Sequence, residues 1–103
     1  MNSTGSANVQ LVVEGGAQSG MLFAIDKPFV TVGRANDNDI VLNDEMVSKH
    51  HARIIIQGNN YLIEDLGSSN GTTVNGQQVS EVALGPGDAI QIGSTEIQFQ
   101  VAG

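Results

Sequence analysis

The sequence predicts an all-β sandwich. Apolar and polar residues alternate in short runs, turn residues part those runs at close spacing, and no window of about ten residues keeps a helical period without a glycine or a β-branched cluster breaking it. Roughly ten short strands follow.

Met1 to Ala7 is small and polar after the methionine, so residues 1–8 are expected to form a flexible leader and residues 9–102 the folded domain. Val9, Leu11 and Val13 alternate with Gln10 and Val12 until the run Glu14-Gly15-Gly16-Ala17-Gln18-Ser19-Gly20 ends the first strand. Phe23 and Ile25 mark a short second one. After Asp26-Lys27-Pro28, Val30 and Val32 alternate with Phe29 and Thr31 up to Gly33-Arg34, which sets Arg34 at a strand end. Ala35 to Asn43 is rich in Asn and Asp and reads as loop, with Ile40-Val41-Leu42 able to pair briefly.

Ala52, Ile54 and Ile56 share one face of the next strand, with Arg53, Ile55 and Gln57 on the other. Gly58-Asn59-Asn60 is expected to close a hairpin into Tyr61 to Leu66, and Gly67 to Thr72 forms a polar loop. Thr73 and Val74 enter Asn75-Gly76, the dipeptide suited to a type I′ turn, and Gln77 to Val79 returns. Val82 to Leu84, Ile90 with Ile92, and Ile97, Phe99 and Val101 supply the remaining strands.

With 103 residues the chain is one domain. It has no cysteine, which removes disulfides and thiolate chemistry and fits a cytoplasmic setting. No apolar run approaches the roughly 18 residues of a membrane span. The net charge of -7, with only four Lys and Arg, excludes a general nucleic-acid surface. Two of those four, Lys49 and Arg53, lie within five residues of Ser48, in Val47-Ser48-Lys49-His50-His51-Ala52-Arg53. An acidic chain that gathers its few cations beside hydroxyls is a candidate anion receiver.

Strand direction brings the candidates together. If Ala52 to Gln57 and Tyr61 to Leu66 form one hairpin, the start of the first and the end of the second are neighbours, so Ser48 and Ser69 share a rim. Arg34 joins them if its strand runs toward that rim.

Gly33-Arg34, Ser48 with His51 three residues on, Asp65-Leu66-Gly67-Ser68-Ser69-Asn70-Gly71-Thr72 and Asn75-Gly76 together resemble the forkhead-associated (FHA) domain from about Val9 to Val101. The resemblance implies an FHA-like β-sandwich of about eleven short, mainly antiparallel strands with binding loops at one end, a phosphothreonine-peptide reader in Ser/Thr kinase signalling and not an enzyme. By position it implies that Arg34 and Ser48 hold the phosphate, Lys49 adds charge, Ser69 adds a hydroxyl and Asn70 bonds the peptide backbone. Met46 is the residue to watch for peptide specificity. Gly33, His51, Gly71, Asn75 and Gly76 are structural support. The expected partner is a phosphothreonine protein or peptide, with no cofactor, nucleic acid or membrane; the alternative is a sandwich for phosphate-independent association.

Other chemistries fit less well. His50 and His51 are adjacent and should face opposite ways, with no third ligand nearby, which argues against zinc. The acidic run Asp37, Asp39, Asp44 and Glu45 lacks the glycine and the final glutamate of a calcium loop. Ser48, His51 and Asp65 are the ingredients of a hydrolase triad, but no nucleophile elbow accompanies them.

Overall fold

The computed structural model describes residues 8–102. The leader expectation covers residues 1–8: residues 1–7 lie outside the described ones, while Asn8 pairs with Ala102 and opens the first strand. Eleven strands follow in order: β1 (Asn8–Gly15), β2 (Leu22–Ala24), β3 (Phe29–Gly33), β4 (Ile40–Val41), β5 (Ala52–Gln57), β6 (Asn60–Asp65), β7 (Thr72–Val74), β8 (Gln77–Val79), β9 (Glu81–Leu84), β10 (Ala89–Ile92) and β11 (Thr95–Ala102). One sheet has the order β2-β1-β11-β10-β7-β8, the other β4-β3-β5-β6-β9. Only the short β3–β4 pair is parallel.

Alternation sorts the side chains between the sheets. Leu11, Ile90, Ile92, Ile97 and Phe99 from the first sheet pack with Val30, Val32, Ile54 and Ile63 from the second, and all are buried. Tyr61 meets Phe99 across the layer at 5.6 Å between ring centroids, tilted by 55°. Burying each such large apolar side chain contributes about 2 to 3 kcal/mol, so the core and not the turns holds the layers together.

Several strand boundaries shift by a residue from expectation: Leu42 and Leu66 fall just outside β4 and β6, Thr72 opens β7 and Glu81 opens β9. The β5–β6 turn spans two residues, Gly58 and Asn59, because Asn60 already pairs with Gln57. Ile25 falls outside β2, although its N–H still donates to Val9 O at 2.9 Å, because Asp26 to Pro28 turn the chain away. The Asn75-Gly76 turn has φ of 52° and 85°, both left-handed as a type I′ hairpin demands. It lies at the end of β7 away from the polar loop that precedes Thr72.

Candidate functional site

The β3–β5–β6 register builds the rim. Val32 pairs with Ala52 and Ala52 with Asp65, so β3 ends, β5 begins and β6 ends at one level. Arg34, Ser48 and the Gly67 to Thr72 loop therefore converge there. The two chain segments beyond the strands stay in contact: Arg34 N donates to Ser48 O at 3.0 Å and Ala35 N to Lys49 O at 3.2 Å. Gly33 permits this approach, since a Cβ there would stand 2.2 Å from Lys49 O and 2.7 Å from Asn38 Nδ2. Asn38, in the loop that its Asn and Asp content predicts, is buried and donates through Nδ2 to Ala35 O and Lys49 O, both at 2.8 Å. Its side chain clamps the segment that carries Lys49, and nothing in an Asn-rich loop singles out that one amide.

His51 links the three parts. Its side chain is fully buried; Ser48 N donates to Nδ1 at 3.0 Å, so Nε2 carries the proton and donates to Gly71 O at 2.9 Å. One imidazole thus ties the Ser48 backbone to the second loop. That loop is wound around Asp65, which accepts from Gly67 N, Ser68 N, Ser68 Oγ and Thr72 Oγ1 at 2.6 to 3.0 Å. Partial burial pushes the Asp65 carboxyl up, but the hydrogen bonds from Ser68, Thr72 and Gly67 outweigh it and hold the pKa below the ordinary carboxylate value. Gly71 has φ of 83°, and its N–H donates to Ser68 Oγ at 2.9 Å. Asp44 does similar work on the other side: burial raises its pKa, yet bonds from Met46 N, Thr95 Oγ1 and Ser94 N lower it overall.

The exposed groups on this frame face solvent with donors to spare. Arg34 spends Nε on Val47 O at 3.0 Å, which orients the guanidinium and leaves both terminal nitrogens without a partner among the described residues. Ser48 Oγ accepts from Ser69 N at 3.0 Å and keeps its own proton for another acceptor. Asn70 Nδ2 donates to Met46 O at 2.7 Å, leaving Oδ1 and one N–H. Lys49 is exposed, and Met46 is 48% exposed beside them.

Electrostatics separates this rim from the rest of an acidic surface. Lys27 is paired with Asp39, and Arg53 with Glu64 at 2.6 Å. Arg34 and Lys49 have no carboxylate partner among the described residues, so the two unneutralised fixed cations both stand at the rim. Arg53, in the basic stretch by sequence, points from β5 to the outer sheet face instead. A planar fork, an ammonium and two hydroxyls in one place suit an oxyanion.

The geometry does not assemble a hydrolytic triad. His51 Nδ1 is occupied by the backbone N–H of Ser48 and not by its hydroxyl, and Nε2 points to Gly71 O with Asp65 Oδ1 at 3.9 Å. His50 turns outward to Asp37 at 3.0 Å, away from His51.

Fold and rim together are those of an FHA domain, and the chain belongs to that family: its residues 30–93 match the FHA domain model. The glycogen accumulation regulator GarA of Mycolicibacterium smegmatis is 39% identical over 94 residues, which are 91% of this chain and 60% of that protein. The Mycobacterium tuberculosis protein EmbR, solved in complex with a low-affinity phosphopeptide, superposes with a TM-score of 0.86 and 41% identity over 94% of this chain and 25% of that one. A domain solved in a study of phosphothreonine-dependent FHA domain interactions has a TM-score of 0.84 and 35% identity over 90% of this chain and 95% of that one. This chain spans 60% of the length of GarA and 22% of EmbR.

Proposed function

We propose that residues 9–102 form a reader of phosphothreonine peptides that mediates phosphorylation-dependent association in cytoplasmic Ser/Thr kinase signalling. The observation that carries this reading is the pair of unneutralised cations, Arg34 and Lys49, standing beside the hydroxyls of Ser48 and Ser69 in a chain of net charge -7. A phosphothreonine brings a charge of about -1.5 to -2 and three acceptor oxygens, which the free Arg34 nitrogens and the Ser48 hydroxyl satisfy at charge-assisted strength. Lys49 adds positive charge and Ser69 a further donor. Asn70 offers its remaining carbonyl and N–H to the backbone of an extended peptide, and exposed Met46 suits an apolar peptide side chain.

Gly33, His51 and Gly71 support the rim, and Asn75 with Gly76 shape the distant hairpin. No group in this reading turns a substrate over; the rim binds and releases.

The test is calorimetric titration of phosphothreonine, phosphoserine and unphosphorylated versions of library-selected peptides against wild type and Arg34→Ala. Selective phosphothreonine binding is expected, with at least about a hundredfold loss in the variant, the scale for removing one partner of a charge-assisted contact. Unchanged affinity in Arg34→Ala would overturn the phosphate assignment. Binding that ignores phosphorylation would make the domain a phosphate-independent association module.

A further inference from the structure

The outward faces of the two sheets differ. On the first sheet the outward positions of β1, β10 and β11 are mainly polar, with Gln10, Gln91, Gln98 and Gln100, while the apolar Val12 and the exposed Leu22 lie at the β1–β2 edge. The second sheet instead carries an apolar row across four strands: Phe29, Ile55, Leu62 and Ala83 stand side by side on β3, β5, β6 and β9. Phe29 is 54% exposed, while Ile55 in the middle of the row keeps only 8%. The next outward row toward the rim is Thr31, Arg53, Glu64 and Glu81.

Charge is divided along that second row, with a cation on β5 and carboxylates on β6 and β9. Arg53 lies over the Phe29 ring at 5.6 Å and donates Nε to Glu64 Oε1, which leaves its terminal nitrogens and Glu64 Oε2 without partners among the described residues.

We propose that this face joins a second copy of the chain in a two-fold dimer whose axis lies in the interface, parallel to the strands and between β5 and β6. An isologous contact needs a patch that complements itself. This axis keeps position along the strands and exchanges β5 with β6 and β3 with β9. Ile55 then meets Leu62 of the second copy, Phe29 meets Ala83, and the free end of Arg53 faces Glu64, which closes a ring of two arginines and two glutamates. An axis running across the strands sets Arg53 against the uncharged Gln57 row and loses that match.

The parallel axis also leaves both rims at the same end of the dimer. On the phosphothreonine reading the dimer is therefore bivalent, and a partner with two phosphothreonines gains avidity of about a hundredfold or more where its linker spans the sites. The dimer itself does not depend on that reading.

Sedimentation equilibrium tests it. The average mass of the wild type is expected to rise from 10.7 kDa toward twice that value as concentration increases from about 10 µM to about 1 mM, the range of a modest interface. Phe29→Glu and Ala83→Glu, both at exposed positions, are expected to stay monomeric with an unchanged circular dichroism spectrum. The chain has no cysteine, so mixed Phe29→Cys and Ala83→Cys proteins should cross-link through a short bismaleimide in preference to either protein alone. A wild type that stays monomeric throughout, a dimer indifferent to both glutamates, or equal cross-linking of like with like would overturn the proposal. Absence of phosphopeptide binding with the dimer intact would overturn only the bivalent reading.

Discussion

The two ends of β7 are built by different means. At its start, the polar rim is held by side chains that reach across sequence: His51 to Gly71, Ser48 to Ser69, Asn38 to Lys49 and Asp44 to Ser94 and Thr95. At its other end, the left-handed conformation of the Asn75-Gly76 turn comes from two adjacent residues, and the Asn75 side chain adds two bonds at the start of the neighbouring strand, accepting from Ala89 N at 2.9 Å and donating to Asp88 Oδ1 at 3.0 Å. The difference teaches that a turn can be specified locally, whereas a rim that presents free donors needs an inner shell of satisfied ones. Substitutions should therefore propagate at the first end and stay local at the second.

The largest contrast is between two glycines. Gly33→Ala is expected to cost more than about 3 kcal/mol, because its Cβ would meet backbone 2.2 Å away, and peptide binding should be lost with the Lys49 segment displaced. Chemical denaturation measures this, and a cost under about 1 kcal/mol would show that the rim yields as easily as a turn. Asp65→Ala comes next, at about 2 to 3 kcal/mol, since it strands the donors that wind the second loop.

That contribution has a pH signature. The folded-state pKa of Asp65 is lowered, so its stabilisation is fully present above the unfolded value near about 3.9 and is lost as pH falls through the folded value. Wild type and Asp65→Ala should differ most at neutral pH and converge as the pH falls below the ordinary carboxylate range, as followed by thermal melts; a gap that persists in acid would assign the effect to packing.

At the far end, Gly76→Ala is expected to cost only about 1 kcal/mol, through positive φ alone, because a Cβ there meets nothing within 4 Å. Phosphothreonine-peptide affinity should be unchanged in that variant. A loss of affinity would mean that the two ends are coupled. The smallest expected effect is a fall of about threefold to fourfold in phosphothreonine-peptide affinity from pH 7.5 to 5.5, as the phosphate gives up its second charge; a flat profile would show that the monoanion is bound equally well.

Much of the rim was legible because strand direction is legible. The β5–β6 hairpin brought Ser48 beside Ser69, and the opposite facing of His50 and His51 followed from their adjacency. Asn38 was not, since an amide in a polar loop looks the same whether it faces water or two buried carbonyls. Arg53 is near Ser48 only along the chain: alternation already sets it on the face opposite Ala52 and Ile54, and the second position of β5 carries it to Glu64 on the outer face. Asn70 lies at the rim, but one of its donors is already committed to Met46 O, a contact 24 residues distant that no local pattern encodes.

By itself the sequence determined the sandwich, its hairpins and the nearness of Ser48 to Ser69, because period-two alternation and turn chemistry act over a few residues and set which strand ends adjoin, while Arg34 joined them only through the β3–β5 register. Only the tertiary structure decided which polar groups are spent inside the frame and which remain free for a ligand. That division depends on hydrogen bonds between segments far apart in the chain, and a donor's freedom is a property of everything around it.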